Sequence, residues 1–206
     1  MPTWPADIAA LDAAYEAIEH DARLVVAGLS DALGTWRVAP DTWTVAECLD
    51  HLATGNRVYL EGMRPAAERA AADGRARRGP ARPGLLGGWF ARSLEPPARP
   101  LFKTKAPRQI RPRVSPPLSD ASGAFLASHD DVRAFLRQFA AIDLAGITFP
   151  NPFIGGVRFS LATGLHVLAA HERRHLWQAW NVRRAAEQAA GTAPATPLTP
   201  SATPRR

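Results

Sequence analysis

Residues 43–63 read WTVAECLDHLATGNRVYLEGM. Thr44 followed three residues later by Glu47 is a capping box, in which a hydroxyl and a carboxylate satisfy the open N–H groups at a helix start. Val45, Leu49, Leu52, Asn56, Tyr59 and Met63 then recur at spacings that place them on one helix face. The pattern predicts a helix from about Thr44 to Ala72. Pro65 lacks an N–H for the ladder and is expected to end or bend it. A polar Asn56 in an apolar stripe needs a partner, either in the pocket or on the fourth helix of the chain.

Three further segments carry the same period. Ile8, Leu11, Tyr15, Ile18, Val25 and Leu29 predict a helix from about Asp7 to Leu33, stopped by Gly34. Phe125, Val132, Phe135, Leu136, Phe139 and Ile142 predict one from about Ser122 to Ile142. Leu161, Leu165, Leu168, His171, His175, Ala179 and Val182 predict one from about Ser160 to Ala189. Four amphipathic helices around one core make an all-α four-helix bundle. The short link between the first two predicts an antiparallel pair. The long link from Arg64 to Leu118 is a crossover that can set the third helix parallel to the second. The bundle is expected over 1–189, with residues 64–118 as the crossover and 190–206 as a disordered tail. Leu85, Leu86, Trp89, Phe90, Leu94, Leu101 and Phe102 give the crossover an apolar side expected to pack on the bundle.

The chain has 206 residues and a formal charge of +6, unevenly placed. Residues 64–113 hold thirteen basic and three acidic residues, net +10, leaving the remainder at −4, and carry eight of the 19 prolines. The single cysteine, Cys48, excludes a disulfide framework. It sits away from His51 on the helix and is expected to be a small buried hydrophobe. No charge-free run approaches the ~20 apolar residues of a membrane span. The first residues lack the basic and apolar regions of a signal peptide. A cytoplasmic protein without a membrane partner is expected.

The residues with chemistry in them come late, in AHERRHLWQAW, 170–180. His171 and His175 lie about 40° apart around a helix and one turn apart along it, so two imidazoles can reach one ion. Gln178 falls on the same line and could bond a water or substrate at the ion. A third ligand must come from another helix, and His51, beside the core stripe of the second, is the candidate. Three protein ligands leave positions open, as catalytic metal sites do. Imidazole suits zinc, nickel, iron and copper alike. Glu47 could accept an imidazole N–H, although its cap already explains it. Glu172 is expected to be an exposed charge, and His129 and His20, flanked by acids, to be surface residues. His166 points away from the pair.

The pairing of WTVAECLDHL, 43–52, with HERRHLWQ, 171–178, resembles the DinB-like family of DinB/YfiT-type metalloenzymes. The segment GGWFARSLEPPARPLFKTKAPRQIRP, 87–112, resembles a linker of one branch. The resemblance runs from about Trp36 to Arg184. It implies a four-helix bundle with a long crossover and a metal triad of His51, His171 and His175. It also implies a divalent metal (zinc, nickel or iron) and either a hydrolase or a transferase of low-molecular-weight thiols, with frequent dimers. Two departures concern the substrate rather than the triad. Arg174 stands where many relatives have histidine. Leu176 and Trp177 stand where many have small residues, so Trp177 is expected to narrow or redirect the pocket.

Two other functions compete with the enzyme. One is a non-catalytic bundle that holds a metal for stability or sensing. The other, disfavoured because no recognition helix or RNA-binding motif accompanies it, is nucleic-acid or anion binding through the basic 64–113 segment.

Overall fold

A computed structural model describes residues 4–97 and 106–191. The order is α1 (Ala6–Val26), α2 (Asp31–Gly34), α3 (Val45–Ala72), α4 (Leu85–Leu94), a 3-10 turn (Arg108–Ile110), α5 (Leu118–Gln138), β1 (Thr148–Pro150), β2 (Arg158–Ser160) and α6 (Leu161–Ala189). The long helices α1, α3, α5 and α6 form the bundle, so the all-α four-helix fold holds.

Side-chain contacts fix the directions. Tyr15 donates to the Leu165 carbonyl, Trp180 donates to Asp21, and Arg183 donates to the Leu24 and Val25 carbonyls, so α1 and α6 are parallel. Asn56 meets Ser128 and Arg64 meets Gln138, so α3 and α5 are parallel, as the long crossover implies. His51 meets His171 while Met63 meets Gly164, so α3 and α6 are antiparallel. α1 is therefore antiparallel to α3, but the two sit diagonally, each packed between α5 and α6.

The capping box forms as read: Thr44 Oγ1 accepts from Glu47 N–H and Glu47 Oε2 from Thr44 N–H, each at 3.0 Å. Pro65 does not end α3. The helix stops where Gly74 adopts φ +66° and Arg75 N–H reaches back to the Ala70 carbonyl. The first helix is shorter than expected. It stops at Val26, Gly28 turns the chain at φ +69°, and Ser30 caps the separate short α2. The third begins four residues early, because Asp31 accepts the Leu118 N–H and caps α5 from outside. It ends at Gln138, and Ile142 turns away to bridge Ala76. The fourth starts as predicted, with Ser160 as its cap. The hairpin β1–β2, which the helical periodicity does not announce, pairs Phe149 with Phe159 ahead of α6.

The crossover does pack on the bundle, by an unexpected face. Asp7 holds both the Arg77 guanidinium and the Ala81 N–H, and the Ala81 carbonyl meets His166 Nε2 at 3.2 Å. α4 lies on α6, with Phe90 against Phe159 at 5.5 Å between ring centres. Leu85, Leu86 and Trp89, expected inside, are exposed, because the glycines between them take the contact. Leu101, Phe102 and nearly all of the predicted tail lie outside the described residues.

Candidate metal centre

His51 sits in the second turn of α3, and His171 and His175 one turn apart on α6. The antiparallel packing of the two helices brings them together as expected. His51 Nε2 and His171 Nε2 are 3.0 Å apart, and one nitrogen from each of the three rings lies within 4.8 Å of the others. Ring centres are separated by 4.5 to 4.9 Å. Gly55 of α3 faces His171, and a Cβ there would make an ordinary 3.4 Å contact with its Cε1.

Two rings have their outer nitrogens held. His51 Nδ1–H donates to the Ile110 carbonyl and His175 Nδ1–H to Gln178 Oε1 at 3.1 Å. Each bond fixes the tautomer that leaves Nε2 bare and facing inward. All three imidazoles are held below their usual pKa. Burial is the first cause, with neighbouring histidine and arginine charges adding for His171 and His175. They are therefore neutral at pH 7, the form that binds metal. Two inward lone pairs at 3.0 Å need a shared proton or a shared cation between them. Metal–imidazole bonds of about 2.0–2.1 Å reach two donors at that separation. The residues fit a divalent transition metal.

The surroundings were only partly foreseen. Gln178 touches His175 and orients it. Trp43, immediately before the cap of α3, packs on His51 and His175 at 4.6 and 5.5 Å between ring centres. It takes the place expected of Trp177, which is exposed. Glu47 bonds Arg37 as well as its cap and leaves His51 to Ile110. Ile110 was invisible to motif reasoning because it contributes a backbone carbonyl. Asp50, beside His51, accepts from the backbone and side chain of Arg113, both at 2.8 Å. The end of the basic crossover is thus pinned next to a ligand. Cys48 is fully buried, its thiol pushed well up by burial and then by Glu47.

Two expectations are overturned. Glu172 and His129 are not surface residues; both are fully buried. His129 Nδ1 lies 3.1 Å from Glu172 Oε2, and Asn56 donates to Glu172 Oε1 at 2.8 Å and to Ser128. Glu172 sits 100° round the helix from His171, so it faces α3 and α5 inside the bundle. Tyr15 and Phe125 pack their rings on His129. The signal was present in Asn56, whose place in the stripe demanded a partner on another helix.

No helix among the described residues is long and apolar enough to cross a membrane. The three-histidine cluster and the family finding below agree on a metal-dependent function. A sequence model of the DinB superfamily matches residues 14–179. Neither the curated proteins nor the solved structures that were searched gave a match.

Proposed function

The chain belongs to the DinB superfamily, and from that premise we propose a metal-dependent enzyme of the cytoplasm, a hydrolase or a low-molecular-weight thiol S-transferase, acting on a small molecule. The observation that supports it most is the convergence of one ligand nitrogen each from His51, His171 and His175 within 4.8 Å. Three protein ligands leave a coordination position free for a water or substrate, whereas structural zinc sites are closed by four. Zinc, nickel and iron all suit such a donor set. A divalent ion held there supplies a lowered pKa for a water or thiol that approaches it.

The remaining parts belong to the chain. Ile110 and Gln178 keep two imidazoles in the metal-binding tautomer. Trp43 covers the His51 and His175 rings and limits water on that side. The +10 charge of 64–113 is not assigned to nucleic acid, since Arg113 is engaged by Asp50 and no recognition motif accompanies the segment.

Metal analysis of the purified protein tests the site. About one ion per chain is expected, and near zero for His171→Ala. Full occupancy in that variant would sink the proposal. Titrating the cobalt-substituted protein with small thiols separates the activities, because a sulfur-to-cobalt absorption band marks the transferase.

A further inference from the structure

α4 is mounted the reverse of an ordinary surface helix. Its small residues Gly87, Gly88 and Ala91 are buried, and a Cβ at Gly87 would meet Thr163 Cγ2 at 2.5 Å. The close approach at Gly87 leaves Phe90 and Leu94 to pack beside it and turns the other large apolar residues of the helix outward. Leu85 is 94% exposed, Leu86 85% and Trp89 57%. At about 100° per residue these three share one arc of roughly 120° with Arg92. Arg92 is exposed on that arc, and Arg78 and Arg82, also exposed, stand in the segment that leads into the helix. Residues 75–94 contain five arginines and no acidic residue. The flanking Glu95 is engaged by Arg173.

We propose that the outward face of α4 docks on an anionic lipid surface, with Leu85, Leu86 and Trp89 entering the headgroup region and Arg78, Arg82 and Arg92 meeting lipid phosphates. A helix of ten residues is an interfacial element and not a span. The composition that excludes a membrane span places no limit on such contact. Indole prefers the headgroup level, and each arginine adds attraction to an anionic leaflet. The other occupants use the face less well. A second copy around a two-fold axis would set the arginine rim against itself. A nucleic acid would engage the arginines and Trp89 but leave both leucines in water.

Co-sedimentation with vesicles of equal phosphatidylglycerol and phosphatidylcholine tests the proposal, with pure phosphatidylcholine as the control. The wild-type protein should partition about tenfold or more towards the anionic vesicles, falling as salt is raised. Leu85→Ser with Leu86→Ser should lower partitioning at least about tenfold, and Arg82→Gln with Arg92→Gln several-fold with a weaker salt dependence. All four positions are exposed, so metal content and far-ultraviolet circular dichroism should match wild type. The proposal is overturned if wild type stays in the supernatant, if both vesicle types bind it alike, or if the leucine variant sediments as wild type does. It is equally overturned if vesicles fail and the leucine variant turns a dimer into a monomer, or an oligonucleotide is retarded instead.

Discussion

Two buried histidine environments share the middle of this bundle, and they displace the imidazole pKa in opposite directions. His51, His171 and His175 face one another and are driven neutral by burial and by mutual proximity. His129 is buried at least as deeply, and burial alone would lower it too, yet the Glu172 carboxylate at 3.1 Å holds it above its usual value. Glu172 and His171 are adjacent in sequence, so one residue step on α6 separates a cation-binding site from an internal ion pair. Burial pushes every one of these imidazoles down; what separates them is the charge of the nearest neighbour. The pair also ties α6 to α5, and Asn56 adds α3, so the helices that carry the ligands are locked at the level of the site.

The comparison breaks most completely by removing the carboxylate. Glu172→Ala leaves the His129 ring and the Asn56 amide buried without their shared acceptor and should cost about 1–3 kcal/mol of stability, read by urea denaturation of the metal-free protein. A loss under 1 kcal/mol would mean the pair contributes no specific stabilisation. On the other cluster, Gln178→Ala frees the His175 tautomer and should weaken metal binding about 10–100-fold with little change in fold, measured by competition with a chelator. The smallest effect is the pH response, followed by NMR of the imidazole rings without metal. His129 should titrate above 6.5 and the triad below it. His129 then adds stability that is full below pH 6.5 and disappears as pH rises through its folded value. The triad adds stability that is full above 6.5 and disappears as pH falls through its folded values. Both titrating on the same side of 6.5 would contradict the contrast.

The sequence carried the bundle, because its four stripes and the Thr44–Glu47 box are local patterns that tertiary packing did not override. It carried the triad through an i, i+4 pair and one histidine at the edge of a stripe. Chain neighbours misled where space decides. Asp130 and Asp131 made His129 look exposed, but they lie on other faces of α5. Gly28 and Ser30 divide the first helix, although the apolar period runs on through Leu29. The apolar residues of the crossover point to burial, but a helix seats itself by shape, and Gly87 lies so near Thr163 that no side chain fits between them. Ile110 had no side-chain signal to read.

The bond from His51 to the Ile110 carbonyl ties two equilibria together. An ion at Nε2 favours the tautomer that donates to Ile110, so metal loading tightens residues 108–113 against α3, helped by Asp50 and Arg113. Linkage makes the relation reciprocal: whatever lifts that strand of the crossover weakens the metal by the same factor. Arg108 and Arg113 turn this into a readout, since tryptic nicking after them reports on a site whose ligands lie on two other helices.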